Sequence, residues 1–194
     1  MIRTKDDLRA YMKADLHSWK GRVPNIVDWM LNNESWYIYH YIRELRHVEY
    51  YYNSKASGLC FRTVLGRVIF AYHYWRFKRL GFKLRYHIYP NTIGPGLMIW
   101  HTGDFIHVKR ACKIGKNCVL RPGVVIGKKN DEDEFDMPVV VGDNVKFGLG
   151  VRVFGKLNIG NNVTIGANSV VTKDIPDNAV VGGIPARIIR IKNE

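Results

Sequence analysis

The stretch Val141-Gly142-Asp143-Asn144-Val145-Lys146-Phe147-Gly148-Leu149-Gly150-Val151-Arg152-Val153-Phe154-Gly155-Lys156-Leu157-Asn158-Ile159-Gly160-Asn161-Asn162-Val163-Thr164-Ile165-Gly166 decides the fold. An aliphatic or aromatic residue recurs every six positions, at Val141, Phe147, Val153, Ile159 and Ile165, and the series continues at Val171. Glycine follows most of them. Four residues after each, a second small or β-branched side chain recurs, at Val145, Val151, Val163 and Ser169. A period of six is too long for a strand and does not fit a helix turn. It is the signature of a parallel β-helix, in which each unit makes one short strand and one turn. No unit can bury its apolar residue alone, so neighbouring coils must stack.

Working outward, the same register appears earlier at Val108, Ile114, Leu120 and Ile126, with Cys112, Cys118 and Val124 at the second inward position. An isolated unit, Ile93-Gly94, opens the series. Two insertions break it. One follows Ile99, around His101-Thr102-Gly103-Asp104, and a longer one runs from Lys128 to Asp136. A regular coil pushes inserted residues outward as loops, where functional residues concentrate. The fold predicted is therefore a left-handed parallel β-helix over residues 87–194, preceded by an α-helical N-terminal domain over 1–86.

The first 86 residues have helical spacing instead. Thr4 and Asp7 form a capping-box start, followed by Leu8, Tyr11, Met12, Leu16 and Trp19. Pro24 suits the first turn of a short helix ending at Met30. A third helix starts near Glu34 with the stripe Ile38, Ile42, Leu45, Val48 and Tyr52. After a break at Ser57-Gly58, a fourth presents Phe61, Leu65, Ile69, Tyr72 and Trp75, with Gly81 as its C-terminal cap.

Apolar residues make up 46% of the 194, enough for a real core. No apolar run approaches a membrane span, and the N-terminus lacks the apolar segment of a signal peptide, so a cytoplasmic location is expected. Three cysteines without a CxxC pair suggest neither a disulfide framework nor a zinc site. The net charge of +13 suits anionic partners, and 16 of the 30 basic residues lie in residues 1–86 against 7 of the 17 acidic ones. The basic, aromatic segment Arg62 to Arg85 reads first as packing between subunits and second as a face for an anionic membrane surface. No nucleic-acid motif is present.

From Ile93 to Arg190 the chain resembles the serine acetyltransferase branch of the hexapeptide-repeat acyltransferases, most of all those of capsule and exopolysaccharide clusters. The resemblance rests on Ile93-Gly94-Pro95-Gly96-Leu97-Met98-Ile99-Trp100-His101, the hexads, Ile165-Gly166-Ala167-Asn168-Ser169-Val170-Val171 and Gly183-Ile184-Pro185-Ala186-Arg187, in that order. It implies a homotrimer, acetyl-CoA as donor in a groove between neighbouring β-helices, and no metal. It also implies that His101 is the general base that deprotonates the acceptor hydroxyl for direct attack on the thioester. Gly127, Gly148, Leu149, Ala167, Lys173 and Arg187 fall at positions for the donor, although the glycines equally serve turns.

Three acceptor-side positions depart from the pattern. Asp-Ile-His-Pro is His87-Ile88-Tyr89-Pro90 here, Asp-His is Trp100-His101, and Arg-His-Pro is Asp136-Met137-Pro138. The group orienting His101 is then either Asp104 or His87, and Trp100, Asp136 and Met137 line the acceptor side. These changes point to a small-molecule or lipid-linked sugar as acceptor, with serine as the alternative. A non-catalytic basic scaffold is the rival outside this class. Cys112 and Cys118 read as core filler rather than nucleophiles, and His107 as structural.

Overall fold

The computed structural model describes residues 1–19, 23–56, 63–127 and 138–192. Four helices come first: α1 (Lys5–Ser18), α2 (Ile26–Met30), α3 (Glu34–Ala56) and α4 (Val64–Leu84). The first strand, Tyr86–Ile88, follows immediately. From there the chain winds as a parallel β-helix with three faces. One face is five strands deep, from Tyr86–Ile88 through Ile106–Val108, Val125–Gly127 and Arg152–Phe154 to Val170–Val171. A second carries Lys113–Ile114, Val139–Val141 and Leu157–Ile159. The third runs from Met98–Ile99 to Ala179–Gly182 and is closed by the antiparallel strand Arg187–Ile191. No described helix is long and apolar enough to cross a membrane.

The hexad columns point inward as their spacing requires. Val141, Phe147, Val153, Ile159, Ile165 and Val171 are all buried, as are Cys112, Cys118, Val124, Val145, Val151, Val163 and Ser169. The glycine after each aliphatic, however, serves close stacking more than turning. A Cβ on Gly148 would lie 2.7 Å from the Ala167 nitrogen of the next coil. The turning is done largely by asparagine. Asn117, Asn144, Asn162 and Asn178 all hold left-handed φ, and their side-chain amides form a ladder with 3.0 Å steps from coil to coil. Asparagine tolerates this conformation because its short amide can bond locally, and here the neighbouring coil supplies the partner.

The helices share one hydrophobic core with the first coils. Ile38, Ile42, Leu45 and Val48 of α3 are buried as the spacing predicts, while Tyr52 is exposed. The Thr4–Asp7 capping box is present. Three helical expectations are corrected. α2 is capped by Asn25 with Asp28, so Pro24 lies outside the first turn. α4 runs through Gly81 to Leu84 and ends on Arg85, which holds the left-handed cap. Gly81 is instead a packing residue, since a Cβ there would meet the Tyr86 carbonyl oxygen at 2.8 Å. Finally, α4 turns Phe77, Gly81 and Leu84 inward, and Leu65, Tyr72 and Trp75 face outward. Phe61 and the Ser57-Gly58 break lie outside the described residues.

One buried ionic cluster locks the helices to the first coil. Arg46 of α3 is fully buried and uses all five donors of its guanidinium. It bonds Asp15 of α1 at 2.8 and 3.2 Å, Glu49 at 2.9 Å, and the carbonyls of Ile93 and Gly94 at 2.9 and 2.7 Å. Asp15 in turn accepts from the Gly96 and Leu97 N–H groups, both at 2.8 Å. The strand entering the His101 turn is thereby fixed against α1 and α3.

Candidate active site

His101 sits where the third face ends and the chain turns outward. Its φ of +58° lies in the left-handed region, unusual for a residue with a Cβ. The conformation is held from three sides. The Tyr86 hydroxyl donates to the His101 carbonyl at 2.7 Å. The imidazole Nδ1 meets Glu34 Oε1 at 2.7 Å. The next residue, Thr102, donates its backbone N–H to Glu34 Oε2 at 2.9 Å and its hydroxyl to the same oxygen at 3.3 Å.

The carboxylate that holds His101 thus comes from the first residue of α3, 67 positions upstream. A carboxylate is favoured at a helix N-terminus, where the unpaired backbone N–H groups carry partial positive charge. Burial by itself would raise the Glu34 carboxyl. The Thr102 N–H and then His101 outweigh it, leaving Glu34 below the usual carboxylate range and ionised. An ionised carboxylate only accepts, so it fixes Nδ1 as the protonated nitrogen and leaves the Nε2 lone pair to take a proton.

This corrects the sequence-based choice of orienting group. Asp104 accepts from the Phe105 N–H at 2.7 Å, and its other oxygen lies over Gly123, 2.8 Å from where a Cβ on that glycine would stand. His87 faces the strand beyond, with its ring 5.1 Å from that of His107, its cross-strand partner, and 4.9 Å from Tyr89. Burial, then Lys78, pushes the His87 imidazole below its ordinary value. Neither residue bonds to His101. The sequence offered little sign of Glu34 beyond its place at a helix start.

Trp100 is partly exposed, its ring 5.9 Å from the His101 ring. The two side chains line a cleft of about 300 Å³ with Trp19, Glu34, Ser35 and Ile38. A second cleft, of about 430 Å³, lies where Glu34 and Thr102 meet Tyr37, Lys83 and Arg85. The other two residues assigned to the acceptor side, Asp136 and Met137, and the acidic run 131–136 lie outside the described residues.

Strand register relates His101 to the positions expected to meet the donor. Met98 pairs with Val119, Val119 with Lys146, Lys146 with Thr164 and Thr164 with Val180. Carried three residues on, this places His101, Pro122, Leu149, Ala167 and Gly183 on one corner of successive coils. The Gly150 N–H bonds the Pro122 carbonyl at 2.9 Å, and the Asn168 N–H bonds the Leu149 carbonyl at 2.7 Å, continuing that register. Leu149 and Ala167 are exposed there, and Gly148 is buried beside them. At about 4.8 Å per coil, this corner runs about 19 Å from His101 down to Gly183. Arg187 is exposed and starts the strand after this corner's last turn. Gly127 and Lys173 stand apart, at the far end of the adjoining face. Gly127 packs under the Phe154 ring, and Lys173 is exposed two residues beyond Val171.

The cysteine thiols are poorly placed for chemistry. Burial pushes Cys112 up to about 12 and raises Cys118 as well. A thiolate is needed for nucleophilic attack, so these two side chains are core filler. Cys60 lies outside the described residues.

No family model matches the chain. Over 104 residues it is 38% identical to the serine acetyltransferase of Staphylococcus aureus (strain Mu50 / ATCC 700699), which is 53% of this chain and 48% of that protein. The chain spans about half the length of the curated relatives it matches. In fold it is similar to the Neisseria gonorrhoeae serine acetyltransferase, with a TM-score of 0.72 and 24% identity over 98% of this chain and 69% of that one. It is similar too to the serine acetyltransferase of Brucella abortus strain S19 solved with coenzyme A, with a TM-score of 0.73 and 23% identity over 97% of this chain and 70% of that one. These relatives are serine acetyltransferases, and they do not support the narrower placement among capsule and exopolysaccharide enzymes. The chain is serine acetyltransferase-like in sequence over half its length and in fold over nearly all of it.

Proposed function

We propose that the protein is an acetyl-CoA-dependent O-acetyltransferase of the serine acetyltransferase type. The observation that carries this reading is the Glu34–His101 pair, poised at the head of the corner that bears Leu149 and Ala167. His101 Nε2 removes the acceptor hydroxyl proton as the oxygen attacks the thioester carbonyl carbon. The C–S bond breaks, the imidazolium returns the proton to the departing thiolate, and the products are an O-acetyl ester and free CoA. The ion pair with Glu34 stabilises the imidazolium in between.

The names of the relatives favour serine as the acceptor. A second reading, a sugar hydroxyl, rests on Trp100, whose partly exposed ring beside the base offers a stacking face. Acetyl-CoA consumption with serine and with a panel of sugars separates the two. O-acetylserine formed faster than any sugar ester supports the first, and the reverse order the second. In either case His101→Ala is expected to lower kcat by about 10²–10⁴-fold with donor affinity unchanged. Near-normal turnover in that variant would remove the proposal. The groove for the donor further requires a homotrimer, which sedimentation tests directly.

A further inference from the structure

The outward face of α4 is not used by the acetyl-transfer reading and stands independently of it. At about 100° per residue, Val64, Val68, Ala71, Trp75 and Phe82 fall within about 60° of arc. All five are exposed, and Phe82 is 91% exposed. The opposite side of the helix supplies Phe77, Gly81 and Leu84 to the core, so the outward stripe is not a misplaced core face. From Val64 to Phe82 it runs five turns, about 27 Å.

Cations border this stripe on both sides. Lys78 lies along one edge, Arg79 and Lys83 along the other, and Arg85 just past the helix end. The Arg79 guanidinium sits 5.2 Å from the Trp75 ring centre, against the aromatic rather than a carboxylate. Between Tyr50 and Gly103 the sequence contains eight lysines and arginines and no aspartate or glutamate. A second copy docking through the same face would bring like charges together. A nucleic acid would satisfy the cations and leave Val64, Val68 and Phe82 in water. An apolar stripe with aromatics, flanked by cations, matches the boundary between acyl chains and an anionic headgroup layer.

We propose that α4 docks the protein on the surface of an anionic phospholipid bilayer, with Trp75 and Phe82 entering the interface and Lys78, Arg79 and Lys83 meeting the headgroup phosphates. The test is co-sedimentation of the full chain with vesicles of phosphatidylcholine alone and of phosphatidylcholine with phosphatidylglycerol, at low and high salt. Binding to the anionic vesicles that weakens with salt, and little binding to the neutral ones, is expected. Trp75→Ser with Phe82→Ser should lower the partition coefficient more than about tenfold, and Lys78→Glu with Arg79→Glu by at least as much. These side chains are exposed, so helical circular dichroism and the acetyl-CoA assay should match wild type and show that the variants fold. Three results would each overturn the proposal: no wild-type binding to anionic vesicles, binding unchanged by both double variants, or a change in sedimentation coefficient showing that the stripe joins copies of the chain. Preferential binding to a DNA duplex over anionic vesicles would do the same.

Discussion

The β-helix and the helices that precede it contribute in opposite ways. In the β-helix each coil repeats the environment of the last, and its residues are interchangeable by position: Ile126, Val153 and Val171 do the same work one coil apart. In the helices the decisive residues occur once. Arg46 gathers two carboxylates and two carbonyls from three parts of the chain, and Glu34 reaches across to His101. Repetition builds a stack on which a base can be displayed. The single contacts give His101 its carboxylate partner and fix which ring nitrogen faces it.

Arg46→Ala separates these roles most strongly. It leaves Asp15 and Glu49 buried without their cation, and one-sided loss of a buried pair costs about 3–5 kcal/mol. Because the cluster holds α1 and α3 to the coil leading into His101, turnover should fall along with chemical stability. Unfolding in urea and kcat measured on the same preparation check both. A variant that loses stability and keeps full kcat would show that the helices do not position the base.

Acid should also weaken the helical region. Burial, followed by Arg43 for His40 and by His73 for His47, pushes both imidazoles down to about 4. Their Nδ1 atoms have no protein partner. Above pH 6.5 they are neutral in both the folded and the unfolded chain and cost nothing. As pH falls from 6.5 towards 4, the unfolded chain takes up protons that the folded one refuses, so stability declines, and the decline levels off below about 4. Tm measured from pH 7 to pH 4.5 should drop, and His47→Phe should flatten the curve. An unchanged slope would place the acid sensitivity elsewhere.

The smallest effect belongs to the repeats. Ile165→Val removes one methylene from a fully buried column and should cost about 0.5–1.5 kcal/mol by urea unfolding, with kcat unaffected.

What was legible in the sequence follows the same division. The inward columns could be read because every hexad imposes the same constraint, and a chance pattern would not persist from Val108 to Val171. The asparagine corners were overlooked because Asn117, Asn144, Asn162 and Asn178 seem ordinary turn residues until their amides are seen to bond across coils. On α4 two apolar stripes share one helix, and periodicity alone cannot rank them. The spacing picks out Leu65, Ile69, Tyr72 and Trp75, whereas the helix buries Phe77, Gly81 and Leu84, with Phe77 stacked on Tyr41 and Gly81 close against Tyr86. His101 was singled out through its motif and its inserted loop as the candidate base. Its partner was not, because a contact spanning 67 residues leaves no local trace, and the search for a carboxylate stayed near the loop, where Asp104 serves the Phe105 N–H instead.

The central claim is that Glu34 and His101 act as one unit. A double-mutant cycle on kcat tests it most directly, with acetyl-CoA binding measured alongside. Glu34→Gln in the wild-type background should lower kcat on the order of 10–10³-fold without weakening donor binding, and Glu34→Asp should recover part of the loss. In the His101→Ala background the same Glu34→Gln change should cost almost nothing further. An equal loss in both backgrounds, or no loss in the first, would contradict the account.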